Sequence, residues 1–88
     1  MPVNNSSVSV GTAVTEVSGP NISAKFVYLQ DGDYDGDTAV YVGGTGVTTS
    51  NGVKLSKTNT TVFQTNADDA LYAIGDGATA SVRVTEVL

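Results

Sequence analysis

Lys25-Phe26-Val27-Tyr28-Leu29-Gln30 is the run that decides the fold of this 88-residue chain. Its aromatic, β-branched and aliphatic side chains favour an extended strand. Because both faces of that strand are apolar, we expect both to be covered, one by the core and one by another surface. The composition agrees, since 14 Val and 12 Thr stand against only six Lys, Arg and Glu together. Strand formers dominate, and a helical bundle is excluded.

Turn signals divide the rest of the chain into short segments with strand-like patterns. Strands are predicted at residues 8–14, 25–30, 38–42, 47–50, 53–56, 60–65, 71–74 and 80–85. Residues 1–7 are polar and aperiodic and predict a flexible N-terminal arm, and residues 8–88 predict one domain. The predicted fold class is all-β, a small antiparallel β-sandwich or a barrel of about 7–8 strands.

Local signals refine this pattern. Val17 falls out of phase with the alternation before it, which indicates a bulge or break near residues 15–16. Asn51-Gly52 predicts a hairpin, and Gly75-Asp76-Gly77 predicts a second one that joins the last two strands. Residues 66–75 also show the N-cap, the acidic first turn and the final glycine of a two-turn helix. We prefer a strand there, because the turn at Asp76 needs a strand on each side.

Charge and missing residue types exclude several functions. A net charge of −5, with four cations against nine acids, argues against binding to nucleic acid or to an anionic membrane. The chain has no His, Cys or Trp. Imidazole catalysis, thiolate chemistry and disulfides are therefore excluded, and we expect no enzyme. The first residues lack the basic and apolar parts of a signal peptide, so synthesis in a cytoplasm is expected.

An acidic segment is the sharpest local motif. Asp31, Asp33, Asp35 and Asp37 occupy positions 1, 3, 5 and 7 of a calcium-loop pattern, and a glycine fills position 6. Position 12 is Val42 where the pattern needs a glutamate. A solvated turn explains the same residues, because Asp and Gly are turn formers. Calcium is thus a candidate cofactor, and no other is expected.

Aromatic residues are the candidate interface. Phe26, Tyr28, Tyr41 and Tyr72 lie in predicted strands, where core or subunit packing is their usual role. A β domain of this size without disulfides is marginally stable alone, which favours a homo-oligomer.

Two stretches carry a family resemblance. Residues 39–55 (AVYVGGTGVTTSNGVKL) and 71–87 (LYAIGDGATASVRVTEV) resemble small structural proteins of tailed bacteriophages, of the capsid decoration, cement or head-fibre-base type. The resemblance implies a β-sandwich or jelly-roll module, often trimeric, that sits on a capsid surface and contacts the major capsid protein. The acidic segment departs from the pattern, where a shorter neutral turn is expected.

The sequence therefore predicts a virion structural protein that is made in a bacterial host and acts through oligomer and capsid interfaces, with its N-terminal arm ordering on the capsid. A receptor- or glycan-binding module of a phage tail or fibre, with a calcium-stabilised loop, is the alternative. A small carbohydrate-active enzyme or inhibitor is the third class, which the scarcity of acid–base residues disfavours.

Overall fold

Within the residues described by the computed structural model, eight β-strands form two four-stranded antiparallel sheets. The structure describes residues 3–19, 25–31, 38–56, 58–66, 69–77 and 80–87. The strands are β1 Val3–Val10, β2 Thr15–Ser18, β3 Lys25–Asp31, β4 Val40–Gly43, β5 Val53–Lys54, β6 Thr61–Thr65, β7 Leu71–Gly75 and β8 Ala80–Val87. The described residues contain no helix, and the all-β prediction is confirmed.

The strand order is that of a jelly roll. Sheet A runs β1-β8-β3-β6, and sheet B runs β2-β7-β4-β5. β1 therefore pairs with β8, β2 with β7, β3 with β6 and β4 with β5, as if one long hairpin were rolled onto itself. This arrangement packs the two sheets face to face and leaves each of them with one outer face.

Alternation of side chains builds the core between the sheets. In β3, Val27 and Leu29 are fully buried, whereas Phe26 and Tyr28 point to the outer face. The same period of two buries Val82 and Val84 in β8 and Val40 and Val42 in β4. The rest of the core comes from Val10, Val17, Leu55, Leu71, Ala73 and Ala80.

The N-terminal boundary differs from the prediction. Residues 3–7 belong to β1 and pair with β8, so the predicted arm over residues 1–7 is corrected to a strand from Val3. Their side chains are exposed and all but Val3 are polar, and the sequence therefore shows no apolar alternation. This segment is held in the sheet by its backbone pairing with β8 and not by burial of its side chains.

The strand predicted at residues 8–14 ends at Val10, and β2 begins in the other sheet at Thr15. The break lies over residues 11–14, slightly before its predicted place. A register irregularity between Glu16 and Ser18 supplies the predicted bulge, and it buries the consecutive residues Val17 and Ser18.

Two hairpin predictions are wrong. Residues 47–50 form no strand and lie in the loop between β4 and β5, and β5 pairs with β4. The Asn51 carboxamide accepts from the Thr48 N–H at 2.7 Å and donates to the Gly46 carbonyl at 3.3 Å, so local bonds replace a strand ladder. β7 and β8 lie in different sheets, and Asp76 instead bonds to Ala39, before β4.

Candidate functional site

The four predicted interface aromatics divide between the two outer faces of the sandwich. Phe26 and Tyr28 lie on the outer face of sheet A and are 41% and 37% exposed. Tyr41 and Tyr72 alternate with buried residues in β4 and β7 and are half-buried on the outer face of sheet B. These two pairs therefore cannot belong to one contiguous surface. The more exposed pair indicates that the outer face of sheet A is the candidate interface.

Strand register arranges the outer face of sheet A in rows. Residues that are directly opposite in neighbouring strands lie on the same face. One row contains Val3, Val87, Phe26 and Gln64, and the next contains Asn5, Thr85, Tyr28 and Val62. Val3 and Val62 are 55% and 49% exposed. Valine and aromatic side chains thus adjoin across all four strands.

A polar row borders this apolar area. Ser7, Arg83 and Gln30 lie opposite one another on β1, β8 and β3. An open groove of about 450 Å³ runs along the boundary. It is lined by Tyr28, Leu29, Gln30, Thr60, Arg83, Thr85 and Val87. The Thr85 hydroxyl donates to Asn5 Oδ1 at 2.9 Å, which ties the edge strand to its neighbour on this face.

The charge distribution distinguishes the two outer faces. Among the described side chains on the outer face of sheet A, Arg83 is the sole Lys, Arg, Asp or Glu. On sheet B, Glu16 lies opposite Tyr72 and its carboxylate accepts from the Tyr72 hydroxyl at 3.5 Å, while Lys54 lies opposite Tyr41. A chain of net charge −5 therefore has one face where the described strands present no carboxylate.

The acidic segment lies mostly outside the described residues. Asp33, Asp35 and Asp37, like Tyr34 between them, belong to residues 32–37, which the structure does not describe. Asp31 ends β3 on its inward face, opposite the buried Val82, and is 1% exposed. Its N–H donates to the Ser56 carbonyl at 3.1 Å. The candidate calcium site thus stays a prediction.

Asp69 is the described member of the adjacent carboxylate pair Asp68-Asp69. Its Oδ2 accepts from the Asn66 N–H at 2.9 Å, and its own N–H donates to the Asn66 carbonyl at 3.1 Å. These reciprocal bonds join Asn66 and Asp69 just before β7. The carboxylate has a structural role here, typical of a turn-forming Asp.

No sequence pattern predicted that Val3 and Val62 belong to the outer face of sheet A, but one pattern predicted part of this face. Arg83, Thr85 and Val87 recur at every second position of β8, which predicts one shared face. Which residues lie beside them depends on the pairing of β8 with β1 and β3. That pairing joins segments more than 50 residues apart.

Comparisons with family models, curated proteins and solved structures find no match to this chain. The resemblance to phage structural proteins therefore stays a prediction from the quoted motifs. Within the described part of the chain, no helix is long and apolar enough to cross a membrane.

Proposed function

We propose that this protein is a structural protein of a bacteriophage virion that decorates or cements the capsid surface. The observation that carries the proposal is the apolar and aromatic outer face of sheet A. Exposed Phe26, Tyr28 and Val62 adjoin there on neighbouring strands. The jelly-roll strand order supports it, since viral capsid domains use that fold, although lectins and cupins do too.

The proposed mechanism is burial of surface and involves no chemical step. Removing apolar area from water contributes about 25 cal/mol per Å², and aromatic side chains are common anchors of interfaces. Phe26 and Tyr28 would be such anchors against the major capsid protein. The scarcity of charge on this face favours the contact, because no described carboxylate there has to be desolvated.

Copy number in the particle tests the proposal. Particles purified from a culture that produces this chain are analysed by quantitative mass spectrometry against the major capsid protein. Hundreds of copies per particle support decoration, whereas a handful places the chain in a tail or fibre. Absence from purified particles refutes the proposal.

Two valine variants then test which face docks. Val62 and Val53 are both 49% exposed, but Val62 lies on sheet A and Val53 on the edge strand β5 of sheet B. We expect Val62→Ser to lower the copy number several-fold and Val53→Ser to leave it unchanged. Equal copy numbers for both variants would contradict docking through sheet A.

The groove beside Tyr28 favours a second candidate function, a receptor- or glycan-binding module. An aromatic ring bordered by the amide of Gln30, the guanidinium of Arg83 and the hydroxyl of Thr60 offers the stacking and hydrogen-bonding groups that sugars require. A glycan array probed with the purified protein tests this candidate. Saturable binding that Tyr28→Ala abolishes would support it, and an array without binding would refute it.

A further inference from the structure

The sandwich has four edge strands, and one of them differs from the rest. Sheet A ends at β1 and β6, and sheet B ends at β2 and β5. β5 has two residues, β6 has five, and β2 has four with a register irregularity. Short or bulged edges are the usual protection against pairing with another chain. β1 has eight residues and lacks that protection.

β1 is also regular and carries no charged side chain. Its register with β8 is continuous from Val3 to Val10. Its sequence, VNNSSVSV, contains no Lys, Pro or acidic residue that would block an added strand. Every second residue of an antiparallel edge strand directs its N–H and C=O groups away from the sheet. No other strand of the described chain pairs with that side of β1.

We propose that β1 pairs antiparallel with β1 of a second copy of this chain, across a two-fold axis. The pairing joins the two sheets A into one continuous eight-stranded sheet. A two-fold contact uses the same strand twice, which is the commonest symmetry of homo-oligomers. This proposal rests on the edge strand alone and holds whether or not the outer face of sheet A docks on a capsid.

Side-chain direction fixes the register of this pairing. Residues that are opposite in an antiparallel ladder point to the same face of the sheet. The odd-numbered residues of β1 point outward together with their partners in β8: Val3 with Val87, Asn5 with Thr85, Ser7 with Arg83 and Ser9 with Ser81. The even-numbered residues of β1 point inward. When β1 pairs with its own copy, an outward-pointing residue must lie opposite an outward-pointing one. This is possible only if the two-fold axis passes through a residue and not between two residues. With most of β1 paired, that residue is Ser6 or Ser7.

Both registers bring together small, uncharged side chains. Ser, Asn and Val are the residue types in every pair, and a serine meets its own copy at the axis. The nearest cation is Arg83, opposite Ser7 on β8. Three strand spacings then separate the two Arg83 residues by at least about 14 Å, which exceeds the Debye length of about 8 Å at physiological salt. Like-charge repulsion therefore does not oppose this edge.

One strand ladder is a small interface, so we expect a dissociation constant in the micromolar range. Sedimentation equilibrium is measured from roughly 5 to 500 μM. The wild-type chain is expected to approach about 18 kDa, twice the 9.0 kDa of one chain. A chain that stays at 9.0 kDa throughout, or a series that fits a trimer, overturns the proposal.

Lysine substitutions locate the contact. Ser7→Lys places a charge on the β1 edge, and Gln64→Lys places the same charge on the exposed β6 edge of the same sheet. Both variants have the same net charge, so general repulsion between copies changes equally. We expect Ser7→Lys to be monomeric and Gln64→Lys to dimerise like the wild type. Loss of association in both variants would indicate head-to-tail pairing of β1 with β6 and would overturn the two-fold contact.

Cysteine variants provide a test that does not depend on Ser7→Lys folding. The chain has no cysteine, so a single introduced thiol can be oxidised without side reactions. Ser6→Cys or Ser7→Cys is expected to form a disulfide-linked dimer on mild oxidation, because one of these residues faces its own copy. Gln64→Cys is the control and is expected to stay monomeric. Equal cross-linking of all three variants overturns the register and the proposal.

Discussion

The Ser18 hydroxyl donates a hydrogen bond of 2.6 Å to the Glu86 carboxylate and thereby joins the two sheets. Ser18 ends β2 in sheet B and is 3% exposed, and Glu86 lies in β8 of sheet A. Glu86 is opposite Val27, so it points inward at the end of the sandwich. Without this bond, the inward-facing Glu86 carboxylate would lack one hydrogen-bond donor.

Ser18→Ala should destabilise the fold by about 1.5–3 kcal/mol, because a partly buried charged acceptor loses its donor. For a domain of this size each kcal/mol corresponds to roughly 4–8 °C in melting temperature. Urea unfolding of Ser18→Ala and of the exposed loop variant Ser50→Ala measures the effect. We expect Ser50→Ala to stay within about 0.5 kcal/mol of the wild type. Equal stability of both variants would contradict the role of the inter-sheet bond.

Position 52 has no room for a side chain, so a glycine is required there. A Cβ at this position would lie 2.7 Å from Val47 Cγ2 and 2.8 Å from Tyr41 Cβ, whereas a Cβ at Gly46 in the same loop would meet nothing within 4 Å. Gly52→Ala should therefore cost about 1–3 kcal/mol by overpacking. Gly46→Ala should be close to neutral in the same thermal unfolding measurement. A neutral Gly52→Ala variant would show that the β4–β5 loop adopts another conformation.

Neighbouring valines test the assignment of inner and outer faces in sheet A. Val27 is fully buried in β3, and Val62 is 49% exposed on the adjacent β6. Val27→Ala should lower the free energy of unfolding by about 2 kcal/mol, because it leaves a cavity. Val62→Ala should change it by less than about 0.5 kcal/mol. The opposite ranking in chemical denaturation would mean that the sheet faces are inverted.

Deletion of residues 2–8 should destabilise the domain, in contrast to what a detached arm would do. The deletion removes most of β1 and makes β8 an edge strand. About six ladder hydrogen bonds with a net value of 0.5–1.5 kcal/mol each are lost, and the entropy of ordering the strand offsets part of that. We expect a net loss of at least about 2 kcal/mol by thermal unfolding. An unchanged melting temperature would restore the arm interpretation.

The sequence predicted the strands that bury alternate side chains. It did not predict contacts between residues that are far apart in the chain. The strand predicted at residues 25–30 is present and includes Asp31 as well, but its residues could not indicate which apolar face meets the core. Phe26 and Val27 are both apolar, and the position of sheet B determines which of the two side chains is buried. The pairing of Ser18 with Glu86 joins residues 68 positions apart, so no local pattern encodes it.

Errors in the predicted strands have local causes. Val47, Thr48 and Thr49 favour a strand by residue type. The Asn51 side chain instead accepts from the Thr48 N–H and donates to the Gly46 carbonyl, and these local bonds hold the segment in a loop. Asp76 sits in a turn as predicted, but its carboxylate accepts from the Ala39 N–H at 2.8 Å. That bond ties the turn to the approach to β4, and β8 continues into the other sheet.

Cryo-electron microscopy of the particle that contains this chain tests the central proposal most directly. We expect jelly-roll density in hundreds of copies on the capsid, with Phe26, Tyr28 and Val62 of sheet A against the major capsid protein. A map in which the chain is absent from the capsid, or in which this face points to solvent, would contradict it.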